Sequence, residues 1–188
     1  MDQVVRDELS AAKLGTGNLE ILMQRYQESD REAASALIEQ MSGPLFRFFL
    51  AQARDRERAQ DLHQEFWLRI HKARHTYRPG EPVVPWLFAI ARRVQVDDYR
   101  KRKRVVRREV SDERIESIPA GEPRAEVPSV PELLESLPRS QRNVLVMLKV
   151  AGLTIEETAR ATGTTVGAVK QKAHRAYTKL RRLYEGKT

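Results

Sequence analysis

His71 and His75 stand four residues apart in HKARH, the interval at which two imidazoles on one helix face could share a metal ion, and His63 lies two turns earlier. The pattern lacks the Glu that follows the first His in zinc proteases. The chain has no cysteine to complete a ligand set. Asp97 and Asp98 are adjacent, so on a helix they point to different sides and make no acid/base pair. No Gly-rich phosphate loop and no Gly-x-Ser-x-Gly appears. The histidines therefore read as core or solvated residues, and the sequence predicts no enzyme, no metal and no cofactor.

The side chains that remain for chemistry are cations and amides that could bind a polyanion. Formal net charge is +8 over 188 residues, and it is unevenly placed. Residues 92–108 hold nine Arg/Lys against two Asp, and residues 163–188 hold seven against one Glu. The rest of the chain is net acidic. Two separated basic segments on an acidic body predict two contact points on one nucleic acid.

The elements that carry them read as helices throughout, so the fold class is all-α. Leu19, Leu22, Met23 and Tyr26 fall at helical spacing, and Asp30 is placed to cap a helix carrying Ala33, Leu37 and Met41. SGP at 42–44 predicts a break before PLFRFFLAQAR starts a new helix. A long helix follows over 57–74, then a YRPGEP loop at 77–82. In WLFAIARRVQVDDYRKRKR, Leu87, Ile90, Ala91 and Val94 form a core stripe, Arg92, Arg93 and Gln95 lie outside it, and from Arg100 the helix sheds its apolar side. Residues 109–131 hold four of the nine prolines and six acids against two bases, the composition of a linker without a core. Fully extended, such a segment reaches roughly 75–80 Å, more than two turns of DNA at roughly 34–36 Å each. The expected plan is an extension at 1–18, a helical domain at 19–104, a flexible linker at 105–131 and a second helical domain at 132–188.

The C-terminal domain carries a helix-turn-helix pattern. Thr154 with Glu157 makes a capping box, Ala159 is small enough for close packing, Gly163 ends that helix, and Thr165 caps the next two residues later. Val166, Val169, Ala173, Ala176 and Leu180 form its core stripe. Lys170, Gln171, His174, Arg175 and Thr178 form the opposite face, able to bond base edges and phosphates in a major groove.

Three stretches together resemble the extracytoplasmic-function group of bacterial RNA polymerase sigma factors: RAQDLHQEFWLRI, PWLFAIARRVQVDDYRKRKR, and the run from LPRSQRNVL to AYTKLRRL. The likeness covers about 19–104 and 132–184. It implies that Asp61, Gln64, Glu65 and Leu68 dock on the clamp of the large subunit of core RNA polymerase. It implies that Tyr77, Trp86, Arg92, Arg93, Gln95, Asp97, Arg100 and Lys101 serve the −10 element, as duplex and as melted promoter DNA. Tyr77 either stacks on an unpaired base or rests on the core. The −35 element would fall to Thr165, Lys170, Gln171, Lys172, His174 and Arg175. The chain departs from the family pattern at Arg93, where Asn is usual, and at His71, where an aromatic is usual. An anti-sigma factor is the further expected partner.

No segment approaches the ~20 apolar residues that span a bilayer, and the N-terminus has no signal pattern. The expectation is a cytoplasmic protein without membrane insertion, sequestered at the inner membrane if its anti-sigma factor resides there. The competing reading is a helix-turn-helix repressor or activator with a helical sensing domain. That reading explains the C-terminus but not Asp61–Glu65 or the basic end of the Trp86 helix.

Overall fold

The computed structural model describes residues 16–53, 55–109 and 130–185. Most of the predicted extension, and residues 110–129 of the predicted linker, lie outside them. Among the described residues there are helices and no strand. In chain order they are α1 (Thr16–Gln27), α2 (Arg31–Leu50), α3 (Arg56–Ala73), a 3-10 turn at Arg74–Thr76, α4 (Val83–Glu109), α5 (Val130–Glu135), α6 (Arg139–Lys149), α7 (Ile155–Thr162) and α8 (Val166–Glu185).

Helices α1 to α4 pack into one bundle. Leu19, Leu22, Met23 and Tyr26 are all buried in it, as their spacing requires. Asp30 caps α2, its Oδ1 accepting from the N–H groups of Glu32 at 2.9 Å and Ala33 at 3.1 Å. The predicted break at 42–44 does not occur: α2 runs through Pro44. A mid-helix proline costs about 3 kcal/mol. Against that, Leu37, Met41, Leu45 and Phe48 keep one unbroken stripe, and Leu45, Phe48 and Phe49 are each fully buried. Each contributes about 1.5–3 kcal/mol on burial, so packing outweighs the lost hydrogen bond. An aromatic cluster fills the centre, with Phe48 edge-on to Phe49 at 5.4 Å and to Phe88 at 5.5 Å.

Helix α4 is the organising element, 27 residues long and thus roughly 40 Å. It runs five residues into the segment assigned to the linker, to Glu109, because Lys and Arg are good helix formers and no proline intervenes. Likewise α5 starts at Val130, with Pro131 at the first-turn position that suits it. The two helical units are not held apart. Helix α7 packs along α4, and Leu134, Leu137, Met147 and Ala161 belong to the same apolar cluster as Phe48 and Phe88. Residues on either side of the segment assigned to the linker therefore share one apolar cluster. A smaller cluster of Val144, Ala159 and Val169 joins α6 to the helix-turn-helix.

Candidate nucleic-acid interface

The helix-turn-helix forms from local signals. Thr154 N–H donates to Glu157 Oε2 at 2.8 Å and Glu157 N–H donates to Thr154 Oγ1 at 3.1 Å, closing the capping box of α7. Gly163 ends α7 at φ 63°, a conformation that costs glycine little and a side chain more. Thr165 Oγ1 accepts from Ala168 N–H at 3.1 Å and so starts α8. Val169 and Ala176 face inward at 0% exposure, while Lys170, Gln171, His174 and Arg175 are exposed on the other side. These four side chains share one helix face open to a groove. Lys172 sits apart from them, half-buried.

On α4 the predicted residues divide. Leu87, Phe88, Ala91 and Val94 anchor the helix in the core. Arg93, Arg100 and Lys101 are exposed, and Arg92 is half-buried. Gln95 is 6% exposed and lies under the C-terminal unit, so it is not on an open surface as predicted. Asp97 is held by Arg69 at 2.6 Å. Asp98 is buried between Arg58 and Arg102. The sequence reading missed this network, although Asp98–Arg102 and Glu65–Arg69 both stand at i,i+4 and could have flagged it. It ties α3 to α4.

The loop before α4 is pinned from three sides. Gln27 donates its amide to the carbonyls of Arg74 at 2.8 Å and Tyr77 at 2.9 Å, and Val83 N–H donates to Glu20 Oε1 at 3.0 Å. Tyr77 donates its hydroxyl to the Glu81 carbonyl and is 2% exposed. Burial, with Glu20 and Glu81 nearby, pushes its phenol up to about 12. Of its two readings, base stacking is therefore corrected: the ring rests on the core, edge-on to the half-buried Trp86 at 5.5 Å.

The outer face of α3 carries Asp61, Gln64, Glu65 and Leu68, all exposed, Leu68 at 53%. Leu62, Phe66 and Ile70 are buried beneath. His63 and His71 each bond to another side chain of the bundle. His71 Nδ1 meets the Tyr26 hydroxyl at 2.9 Å, and Trp67 Nε1 donates to His63 Nε2 at 3.1 Å. Among the described residues no three His, Asp or Glu side chains converge on a metal-sized site.

Residues 37–105 match the family described as Sigma-70 region 2, and residues 129–180 the one described as Sigma-70, region 4. The ECF RNA polymerase sigma factor EcfG of Rhodopseudomonas palustris (strain TIE-1) is 33% identical over 142 residues, 72% of this chain and 76% of its own. The chain belongs to the ECF RNA polymerase sigma factors. It is a promoter-directing transcription initiation factor, and the repressor reading is set aside. SigD of Mycobacterium tuberculosis (strain ATCC 25618 / H37Rv), another ECF sigma factor, is 33% identical over 174 residues, 87% of this chain and 82% of its own. Two solved structures share the sigma factor's all-helical fold. CnrH, in complex with the cytosolic domain of CnrY, superposes with a TM-score of 0.72 at 23% identity over 91% of this chain and 99% of CnrH. RpoE, in complex with the anti-sigma factor NepR from Bartonella quintana, gives 0.66 at 22% identity over 80% and 96%.

One titration in the sigma factor reports on α3. Burial holds the His63 imidazole below its ordinary value, and the Trp67 N–H occupies the nitrogen that a second proton would need. The neutral ring is thus the folded form. Its contribution to stability is present in full above about pH 6.5 and is lost as pH falls through the depressed folded value. Denaturant melts from pH 8 to 5 should show the wild type losing its advantage over His63→Gln below about pH 6.5. An advantage unchanged across that range would contradict the assignment.

Proposed function

We propose how this sigma factor divides its work among three helix faces. The outer face of α3, with Asp61, Gln64, Glu65 and Leu68, docks on the clamp of core RNA polymerase. The exposed cations of α4, Arg93, Arg100 and Lys101 with Arg92, hold the −10 region. The α8 face, with Lys170, Gln171, His174 and Arg175, reads the −35 element, and Thr165 and Lys172 flank it. The observation that carries this reading is the segregation of charge. The exposed acids of α3 and the cations of α4 and α8 lie on different helix faces, each backed by buried apolar residues. The chain would have no catalysis of its own; the polymerase supplies the chemistry.

CnrH and RpoE were each solved with a bound protein, NepR being an anti-sigma factor. By family likeness this chain too is held in check by an anti-sigma factor, acting in the cytoplasm or, where that factor is membrane-bound, at the inner membrane. Among the described residues no helix is long and apolar enough to cross a membrane.

The test is run-off transcription with core polymerase, with and without this protein, on pooled promoter fragments. Protein-dependent starts that share two spaced upstream elements support the reading. Specific duplex binding with neither polymerase binding nor transcription would reject it. Within that assay, Lys170→Ala and Arg175→Ala should each weaken use of the upstream element by about 1–3 kcal/mol if they contact base edges. Both side chains are exposed, so the melting temperature should stay put. A uniform loss across all promoter sequences would instead mark them as phosphate contacts.

A further inference from the structure

We propose that the cleft where α6, α7 and α8 meet the basic half of α4 is a binding site for a nucleoside polyphosphate. Two of its cations, Arg92 and Arg100, also belong to the proposed −10 set, but the site stands or falls independently of that role.

The cleft has a volume of about 330 Å³, within the range of roughly 300–1,000 Å³ usual for small-molecule sites. Arg92 and Arg100 of α4, Arg139 of α6 and Lys172 of α8 line it, and among the described residues no acidic side chain does. None of these four cations makes an ion pair among the described residues. The Arg139 guanidinium lies over the Tyr99 ring at 3.1 Å, and burial lowers its basicity. Like charges gathered in a partly desolvated cleft repel one another, and a bound anion cancels that repulsion. Helix α6 aims its N-terminus at the same place, since its first residues, Arg139 and Ser140, both line the cleft. Pro138 supplies no side-chain cap, and the first turn holds no acid. The N–H groups there are left for an anion, which the helix dipole also favours.

Asn143 sets the other end of the ligand. It lines the cleft one turn further along α6 and is 5% exposed, and its Oδ1 has no hydrogen-bond partner among the described residues. A buried acceptor left unbonded is destabilising, so this oxygen calls for a donor. An ionised phosphate is an acceptor only, whereas the hydroxyl and amino groups of a nucleoside donate. Tyr99, 41% exposed, adds an aromatic surface beside the same cleft, the kind on which a base stacks. Arg100 and Ser140 are exposed, Arg92, Arg139 and Lys172 half-buried, and Asn143 buried. A duplex can touch the outer cations but cannot reach Asn143. The ligand that satisfies the whole cleft is small, anionic at one end and a hydrogen-bond donor at the other.

The test is equilibrium dialysis of the full-length protein against labelled ATP, GTP and inorganic triphosphate. It is run in about 0.15 M salt, where exposed charges more than about 8 Å apart are largely screened. One nucleotide should bind per molecule, more tightly than triphosphate. Ser140→Glu puts a carboxylate at an exposed first-turn position of α6, where an acid stabilises the helix. It should weaken nucleotide binding at least about 10-fold without lowering the melting temperature. Lys103→Ala removes the same unit of charge at an exposed position outside the cleft and should change affinity by less than about 2-fold. Asn143→Leu should abolish the preference for nucleotide over triphosphate while leaving triphosphate affinity as it was. If that variant melts early, Ser140→Glu against Lys103→Ala decides alone. No saturable nucleotide binding, several equivalents per molecule, or equal losses in Ser140→Glu and Lys103→Ala would overturn the site and leave only the diffuse attraction of a basic surface. Triphosphate bound as tightly as nucleotide by the wild type would overturn the nucleoside assignment. The run-off assay judges the promoter reading separately, so neither failure entails the other.

Discussion

Reversing Asp61 and Glu65 to Lys is expected to abolish binding to core polymerase, with affinity reduced at least 100-fold, or about 2.7 kcal/mol, while the fold survives. The two halves of that expectation rest on different local facts. The side chains are 61% and 48% exposed, and each makes an ion pair on its own helix, Asp61 with Arg58 at 3.6 Å and Glu65 with Arg69 at 2.7 Å. Exposed pairs of this kind contribute about 0–1 kcal/mol. Neither cation is orphaned by the change, because Arg58 keeps Asp98 and Arg69 keeps Asp97. At a desolvated interface the same loss of a charge partner costs about 2–5 kcal/mol per site, and reversal adds repulsion. Surface-immobilised core polymerase gives the affinity, and a thermal melt gives the fold. Retained binding would move the docking surface off α3. A collapsed melt would show that the pairs hold the bundle together.

The largest effect on stability is expected from Phe88→Ala. Phe88 is fully buried and edge-on to Phe48 at 89°. Truncating a core phenylalanine costs about 3–5 kcal/mol, against a total of about 5–15 kcal/mol for a domain. The N-terminal bundle should lose most of its margin, and α4 should lose its anchor with it. The urea midpoint is the measurement. Ile21→Ala is the matched control, because Ile21 is 56% exposed and surface truncations typically stay within about 0.5 kcal/mol. Similar midpoints for the two variants would mean that the aromatic cluster is not the keystone of the bundle.

The opposite fates of Gln95 and Gln171 show where legibility ends. Both are polar residues on long basic helices, and both were read as facing DNA. Gln171 is exposed, because a helix-turn-helix is specified within about thirty residues by caps, one glycine and one apolar stripe. Gln95 is buried, because the surface beside it is supplied by Glu135 of α5 and Arg139 and Arg142 of α6, from beyond the linker. Periodicity tells which side of a helix avoids its own core, and says nothing about a second unit that docks there. Tyr77 makes the same point: a loop aromatic is ambiguous until Gln27 and Glu20, some fifty residues away in the chain, are seen to pin its loop.

The break predicted at Ser42–Pro44 failed for a related reason. Proline acts locally and its cost is fixed, whereas the compensating burial of Leu45, Phe48 and Phe49 depends on helices that only the folded bundle brings together. Asp98 is the converse case. Its i,i+4 partner Arg102 was visible in the chain, but its burial and its pairing with Arg58 of α3 were not.

What the sequence determined by itself was whatever short-range physics controls: helical periodicity, the caps at Asp30, Thr154 and Thr165, the turn at Gly163, the segregation of charge, and the motif order that marks the family. Only the tertiary structure decided which polar residues remain exposed, how the acids of α4 are neutralised by α3, and that the two helical units rest on each other. Those outcomes depend on contacts between residues far apart in the chain, whose energies are small differences between burial, desolvation and ion pairing. No local pattern records that balance.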